Sequence, residues 1–330
     1  MNIFNTIQTK NIRIPHIQKT WRTCLNILSL SALCLLAACA KPVVHAPNTP
    51  APTEQVAATW QAYEQYCHVM ENHRAPYRIT SSLRYDSRGN GHRLVVHMWS
   101  NDEAQRAQSA PSPLRLDIIA GIGATVAQVR EDAHSFLLYS PQEKKAYYHN
   151  GSRKPLFSLG VPVPFSIADL TALMHGRYAD VFGTRFDTQA KYSPRLEPHG
   201  DIAYHLEPQA SPNNQGTLST EGQLILSPDG LVLQWKEQPT SFADEAKPQG
   251  WVLDIAYADP QVPDVIEKNL PSQLPLPRKL SFTYHGVKGV EHTAVVLLKE
   301  RQNPNEPFTP QQIELQIPEG TAFYPLQSKE

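Results

Sequence analysis

Apolar and polar residues alternate with a period of two along most of the chain beyond residue 76. Such alternation is typical of strands that bury one face, and clusters of turn residues separate the runs. Ser227-Pro228-Asp229-Gly230, for example, predicts a hairpin turn. Strands are predicted at residues 77–85, 92–100, 114–119, 125–129, 135–140, 144–149, 202–206, 223–226, 231–236, 251–257, 278–285, 293–299 and 313–317.

Two segments have helical spacing instead. Large apolar side chains recur every three or four positions in residues 54–71, which predicts a helix with one buried stripe: Trp60, Tyr63, Tyr66, Cys67 and Met70. A second, shorter helix is predicted after Ser166, where Ser166 and Asp169 form a capping box and Gly176 ends the helix.

Many strands and few helices predict a mainly β fold of the α+β class. We expect a curved antiparallel sheet that forms a half-open barrel, with helices covering one face. The 29 prolines of the 330 residues fit a protein rich in turns and edge strands.

The N-terminal segment has the features of a lipoprotein signal. Residues 25–38 are apolar but too short to span a bilayer, and no acidic residue precedes Glu54. The run ends in the lipobox-like Leu36-Ala37-Ala38-Cys39, which predicts a signal peptide at residues 1–38 and lipidation of Cys39. An ordinary cleaved signal peptide and an uncleaved anchor are the alternatives.

A tether and a single domain are predicted after the signal. Residues 39–53 are rich in Pro and Ala and unable to form a core, whereas residues 54–330 carry the strand pattern. Ala40, rather than Asp, follows the cysteine, which favours the outer membrane. We therefore expect a protein anchored there through Cys39 and facing the periplasm.

Composition and motifs argue against several other classes. The net charge of −1 offers no general attraction for nucleic acid. The 13 histidines show no metal-ligand spacing, and Cys67 is expected to be buried rather than reactive. Gly121-Ile122-Gly123 is not a dinucleotide loop, because Val126 stands at the third glycine position. We expect no enzyme, no cofactor and no metal, although an unrecognised periplasmic hydrolase remains an alternative.

Residues 114–176 resemble the family of the outer-membrane lipoprotein receptor LolB. The similarity includes the strand and tight loop of residues 115–123 and the step Leu159-Gly160-Val161-Pro162-Val163-Pro164, followed by a helix that ends at Gly176. The resemblance implies a half-open barrel whose apolar cavity holds acyl chains. It also implies that the protein accepts lipoproteins from a periplasmic LolA-type carrier and helps to insert them into the outer membrane.

The resemblance assigns two sets of site residues. Ile122, between Gly121 and Gly123, falls at the exposed loop position that contacts the membrane, although it could instead fold back into the core. The acyl-cavity candidates are apolar residues expected to point inwards from the strands: Leu94, Val96, Met98, Leu116, Ile118, Phe136, Leu138, Leu224, Leu226, Leu233, Trp235, Val252 and Ile255. A filled core is the alternative, because it demands the same residue types.

Extra sequence distinguishes this chain from a typical receptor of that kind. It lies at residues 101–113, 194–220 and 239–250. An alternative function follows, namely a structural or sensing envelope lipoprotein of similar fold that binds a protein partner through these insertions. The partners expected from the leading hypothesis are the bilayer, lipoprotein acyl chains and a LolA-type carrier, with the protein itself a monomer.

The membrane-contact role of Ile122 makes a specific prediction. Ile122→Glu is expected to leave folding intact and to stop the incorporation of lipoprotein cargo into membranes, because a charged loop tip cannot enter the bilayer. Circular dichroism and a cargo-incorporation assay measure the two effects. Normal delivery by the variant would contradict the role.

Overall fold

The computed structural model describes part of the chain. The described residues are 49–87, 89–102, 112–121, 123–132, 134–150, 156, 161, 163–187, 193–206, 222–237, 250–257, 265–268, 274–286 and 289–326. The signal segment, Cys39, Ile122 and most of the three insertions (residues 103–111, 207–220 and 239–249) therefore lie outside the described residues.

The described ranges contain sixteen strands. Their bounds are β1 Thr49–Pro50, β2 Tyr77–Ser87, β3 Asn90–Ser100, β4 Leu114–Ala120, β5 Thr125–Glu131, β6 Ser135–Ser140, β7 Lys145–Asn150, β8 Arg195–Leu196, β9 Ile202–His205, β10 Gly222–Leu226, β11 Val232–Glu237, β12 Gly250–Tyr257, β13 Ile266–Lys268, β14 Pro277–Gly286, β15 Gly289–Gln302 and β16 Ala322–Pro325. The helices are α1 Thr53–Asn72, α2 Ile167–Met174, α3 Ala179–Phe182 and α4 Pro310–Ile313, with a 3-10 turn at Pro198–Gly200.

The strands form one sheet that does not close. Its order is β1-β8-β9-β10-β11-β12-β14-β15-β2-β3-β4-β5-β6-β7-β16, and β13 pairs with β15 at its side. All pairs are antiparallel except β13 with β15 and β16 with β7. The prediction of a curved, mainly antiparallel sheet that forms a half-open barrel is confirmed.

The two ends of the half-barrel differ. Four neighbouring hairpins, β14–β15, β2–β3, β4–β5 and β6–β7, all turn at the same end according to their registers, and we name it the turn end. The β10–β11 turn lies at the opposite end, where α1 packs against it, and we name this the helix end.

Helix α1 forms because its apolar stripe can be buried against the sheet. All five residues of the predicted stripe are buried. The Trp60 ring lies 4.9 Å from that of Tyr204, and the Tyr204 hydroxyl donates a 2.8 Å hydrogen bond to the Val56 carbonyl oxygen. Burial of such aromatic side chains typically stabilises a fold by about 1.5–3 kcal/mol each. The prediction of a helix over residues 54–71 is confirmed.

Helix α2 lies inside the half-barrel. Its predicted capping box is present, with the Asp169 backbone N–H donating to Ser166 Oγ at 3.1 Å and the Ser166 backbone N–H donating to Asp169 Oδ2 at 3.2 Å. Six of its eight residues are buried. The helix ends at Met174, and Gly176 follows with φ of 73°, a left-handed conformation that favours glycine.

The segment after β15 crosses the outer face of the sheet. The Trp99 indole N–H donates to the Gln312 carbonyl oxygen at 2.9 Å, and Arg115 donates to the Glu314 carbonyl oxygen at 2.7 Å. The predicted strand at residues 313–317 is therefore wrong. A capping box at Thr309 and a proline at the first helical position start α4 instead, and α4 lies on the face opposite α1 to α3.

Two short strands are formed by residues that the sequence assigns to linking segments. Thr49 and Pro50, placed in the tether by their composition, pair as β1 with Arg195 and Leu196 of β8. The insertion at residues 194–220 likewise contributes β8, whereas β9 matches the strand predicted at residues 202–206. Regular pairing at this edge is a long-range contact, which composition does not reveal.

Close packing of α1 on the β10–β11 turn generates a stability prediction. A Cβ added at Gly230, where φ is +77°, would lie 2.3 Å from the Tyr63 backbone nitrogen. Gly320 has a similar φ of +81° and nothing within 4 Å of its added Cβ. Gly320→Ala is expected to cost about 1 kcal/mol, and Gly230→Ala at least about 2 kcal/mol more, because the clash adds to the strain.

Denaturant unfolding of both alanine variants measures the difference in the free energy of unfolding. Equal losses in Gly230→Ala and Gly320→Ala would show that α1 does not pack on this turn as described.

Candidate functional site

The concave face of the sheet carries most of the predicted acyl-cavity residues. Eight of them are buried in one hydrophobic cluster: Val96, Met98, Leu116, Phe136, Leu224, Leu226, Trp235 and Ile255. Leu94, Ile118 and Leu138 are half-buried and pack against that cluster. Alternation along the strands brings these residues to one face, as the sequence pattern predicts.

Two predicted cavity residues do not belong to this face. Val252 lies between the buried residues Trp251 and Leu253, so it points to the opposite face of β12. Leu233 falls at a β-bulge, where Leu226 pairs with Val232 and Ile225 with Gln234. Val232 therefore takes the inward position, and Leu233 remains half-buried outside the cluster.

The middle of the interior is filled by aromatic rings. Phe165, which precedes α2, has its ring centroid 5.2 Å from that of Trp235 and 5.9 Å from that of Phe282. Phe182 of α3 packs 6.2 Å from Phe165 and 6.1 Å from Trp235. This part of the interior is packed core, as the filled-core alternative expects.

At the turn end, the concave face is less deeply buried. Five neighbouring side chains line it: Tyr85, Leu94, Ile118, Trp251 and Tyr284, which we name the mouth wall. Trp251 is buried and the other four are half-buried. The Trp251 and Tyr284 ring centroids lie 5.1 Å apart, and all five side chains pack on or within the hydrophobic cluster.

Imidazoles flank the mouth wall. The ring of His92 stacks on Tyr85 at 4.9 Å, and the ring of His292 lies 5.8 Å from Tyr284. Gly121 and Gly123 lie in the β4–β5 turn at the same end, and a Cβ at either would meet nothing within 4 Å. The membrane-contact role predicted for Ile122 is untested, since Ile122 lies outside the described residues.

The helix end has a polar character instead. Arg301 is completely buried and donates to the carbonyl oxygens of Met174 and Pro277, each at 2.7 Å. It also forms an ion pair of 2.6 Å with Glu267. These contacts tie the C-terminal end of α2 to the ends of β14 and β15. Burial lowers the pKa of Arg301.

A second ion-pair group lies beside it. Arg74, just after α1, contacts Asp180 of α3 at 2.7 Å and Asp102, which follows β3, at 3.4 Å. Arg177 forms an ion pair with the same Asp102. The group therefore links α1, α3 and the end of β3, around a cleft with about 430 Å³ of empty space including its open side.

His175 lines this cleft and is held neutral. Burial, together with the nearby charge of Arg301, lowers the pKa of His175 to about 3. Its ring centroid lies 4.4 Å from that of Tyr77, and burial raises the pKa of Tyr77 to about 12. Both groups are thus uncharged at neutral pH.

Cys67 is buried, as the sequence predicts. Burial raises the pKa of its thiol to about 12, so the thiolate that reacts as a nucleophile is scarce at neutral pH. Within the described ranges, no three side chains of the metal-binding types lie together. No helix there has both the length and the apolar composition required to cross a bilayer.

Sequence analysis did not predict the polar groups at the helix end. More than two hundred positions separate the first and the last of these residues, which are Arg74, Asp102, Arg177, Asp180 and Arg301. The one local signal is an arginine directly after the glycine that ends α2, which marks a charge beside a predicted buried helix.

Comparisons with known proteins place the fold in context. No protein-family model matches the chain, and no curated protein matches it in sequence. Similar solved structures include a DUF1329 family protein from Desulfovibrio piger, with 10% identity and a TM-score of 0.49, covering 78% of this chain and 97% of that one.

Two further similar structures have names that refer to lipoprotein sorting. A LolA superfamily protein from Nitrosomonas europaea has 10% identity and a TM-score of 0.43, covering 76% of this chain and 98% of that one. An outer membrane lipoprotein-sorting protein domain from Vibrio parahaemolyticus has 12% identity and a TM-score of 0.45, covering 77% and 97%. All three TM-scores lie below 0.5.

The neutral His175 makes a prediction about pH. The unfolded chain binds a proton at this side chain below about pH 6.5, whereas the folded protein binds it only near pH 3. Stability is therefore expected to fall as the pH drops from 6.5 towards 3, with up to about 2 kcal/mol lost by pH 5. His175→Gln is expected to remove this part of the pH dependence.

The free energy of unfolding, measured against pH by denaturant titration, checks the effect. His68→Gln, at an exposed position of α1, is the matched control. Equal changes of slope in the two variants would contradict the assignment to His175.

Proposed function

We propose that this protein is a lipid-anchored outer-membrane lipoprotein that binds acyl chains of lipoproteins and helps to insert them into the membrane. The observation that carries the proposal is the mouth wall, an apolar, half-buried surface at the turn end of the half-barrel that continues into the hydrophobic cluster. The lipobox at Cys39 and the resemblance of residues 114–176 to the LolB family support it from the sequence.

The packed middle of the interior determines the depth of the proposed site. Phe165, Trp235 and Phe282 occupy the space beneath α2, so an acyl chain cannot run through the barrel without displacing them. The mouth wall requires no such rearrangement. We therefore propose a shallow site at the turn end, which covers part of an acyl chain.

The energetics of such a site suit transfer rather than storage. Each methylene group removed from water contributes about 0.8 kcal/mol, whether it is buried by a protein or by a bilayer. A shallow site covers fewer methylene groups than the membrane does. The acyl chain is thus protected from water while it is bound, and its transfer into the bilayer lowers the free energy without a covalent step.

A second candidate function is a structural or sensing lipoprotein that binds a protein partner. Two aromatic side chains at the sheet edge favour it, because Tyr148 of β7 is 41% exposed and Phe323 of β16 is 55% exposed. They lie on the outer face, away from the mouth wall. A pull-down that recovers one stoichiometric partner, lost when residues 207–220 are deleted so that β8 and β9 remain in the sheet, would favour this function.

Acyl binding is tested by a charge placed on the mouth wall. Leu94→Arg is expected to weaken the binding of a fluorescent fatty acid at least about tenfold, because a guanidinium in an apolar site must be desolvated. Val95→Arg is the matched control, since Val95 is the next residue of β3 and points to the outer face. It is expected to bind as the wild type does.

Residues 40–330 are suitable for this titration because they contain the whole described fold without the lipid anchor. Native mass spectrometry of the same protein reports copurified lipid. A clean mass together with no uptake of the fatty acid would contradict acyl binding, as would equal effects of Leu94→Arg and Val95→Arg.

A further inference from the structure

A half-buried carboxylate borders the mouth wall. Glu237 is the last residue of β11 and lies at the turn end, because the β10–β11 turn is at the other end of that strand. The register with β10 is regular from Gln234 onwards, so Glu237 points to the same concave face as Trp235. The Trp251 backbone N–H donates to Glu237 Oε2 at 2.9 Å. The carboxylate therefore lies beside the β12 side of the mouth wall.

Glu237 has no cation to neutralise it. Among the described residues it forms no ion pair, and its one hydrogen-bond donor is the backbone N–H of Trp251. The carboxylates at the helix end differ, since each contacts a guanidinium: Asp102, Asp180 and Glu267. A half-buried carboxylate without such a partner is costly to the fold and contributes nothing to holding the helices.

The neighbouring strand leaves this carboxylate uncovered. Gly222 of β10 pairs with Glu237, and a Cβ added at Gly222 would lie 2.6 Å from Trp235 Nε1. The Trp235 ring thus excludes a side chain from this position. Burial raises the pKa of Glu237, and the hydrogen bond from Trp251 opposes that shift. A ligand that brings a cation or an N–H group to the carboxylate would offset the cost of burying it.

The head groups of different acyl compounds respond to such a carboxylate in opposite ways. A free fatty acid carries an anion, which Glu237 repels, whereas an ammonium or amide N–H donates a charge-assisted hydrogen bond to it. In a lipoprotein the acyl chains are attached to the N-terminal cysteine, so the α-nitrogen of that cysteine lies close to them. A head of this kind matches both the apolar wall and the carboxylate beside it.

We infer that Glu237 determines which acyl ligands the mouth wall accepts, by binding the α-nitrogen of a lipidated N-terminus and repelling free fatty-acid anions. The inference rests on the proposed function for the acyl site itself. Selection of this kind combines an attractive contact for one ligand with a repulsive contact for its competitor. Phosphatidylethanolamine also carries an ammonium, but the phosphate next to that ammonium weakens its attraction to a carboxylate.

Three ligands with the same chain and different heads test the selection: dodecylammonium, laurate and dodecanol. Each displaces the uncharged dye N-phenyl-1-naphthylamine from residues 40–330 at about pH 8, where amines are protonated and carboxylates ionised. Glu237→Gln is expected to weaken dodecylammonium about tenfold and to tighten laurate about tenfold, with dodecanol unchanged, because the charge is removed and the shape is kept. Glutamine still accepts the Trp251 hydrogen bond, so the unfolding midpoint should not fall.

Asp254→Asn is the matched control. Asp254 lies on the neighbouring strand β12, between the buried residues Leu253 and Ile255, and is exposed on the outer face. The variant is expected to bind all three ligands as the wild type does. Equal changes in Asp254→Asn and Glu237→Gln would overturn the inference, because a carboxylate outside the half-barrel would then have the same effect.

The source of the ammonium is tested with two further competitors. One is a synthetic peptide that begins with diacylglyceryl-cysteine, and the other is a short-chain phosphatidylethanolamine. Glu237→Gln is expected to weaken the peptide about tenfold and the phospholipid much less. A loss for the phospholipid without a loss for the peptide would overturn the assignment to a lipidated N-terminus.

Dodecanol separates this inference from the proposed function. If dodecanol displaces the dye but Glu237→Gln changes neither charged ligand, the role of Glu237 is overturned and acyl binding stands. If none of the three ligands displaces the dye from the wild-type domain, acyl binding is contradicted and the role of Glu237 falls with it.

Discussion

The structure depends on covering the concave face of a sheet that does not close. An open sheet of this length leaves a continuous apolar surface, and water must be excluded from it for the fold to be stable. Helix α1, near the start of the described residues, packs on this face, and α2, from the middle of the chain, packs on it as well. Phe165, just before α2, contacts Trp235 of β11. Every other feature of the interior follows from where these helices lie.

The two ends of the sheet differ because the termini of the covering helices meet at only one of them. At the helix end, the chain directions bring Arg74, Arg177 and Arg301 together under the helix termini, where each guanidinium has carboxylate or carbonyl partners. A buried charge without such partners would cost several kcal/mol, so these pairs define one arrangement of the helices more than they add stability. At the turn end none of the described charged side chains is buried, and four of the five mouth-wall side chains remain half-buried.

This asymmetry agrees with the proposed function, in which an apolar ligand is held and released at the turn end while the helix end keeps the helices in place. The aromatic packing beneath α2 makes the proposed acyl site shallow, and a shallow site favours release into a bilayer. The outer face follows separate constraints, because the segment after β15 crosses it and ends in β16, beside the exposed aromatic residues of the sheet edge.

The sequence by itself determined the elements whose signals are local. Alternation with a period of two located most strands and the inward face of β3, the three- and four-residue spacing located α1, and Ser166 with Asp169 located the start of α2. Tertiary structure decided what depends on distant residues. Capping at Thr309 and contacts with Trp99 and Arg115 made a helical turn of a predicted strand, and a bulge turned Leu233 away from the core. Val252 was predicted wrongly for a local reason, because alternation along β12 places it on the face opposite Trp251 and Ile255. The arginine pairs likewise arise only when the ends of α1, α3 and β15 meet, because charge partners are selected by proximity in space and leave no periodic pattern in the chain.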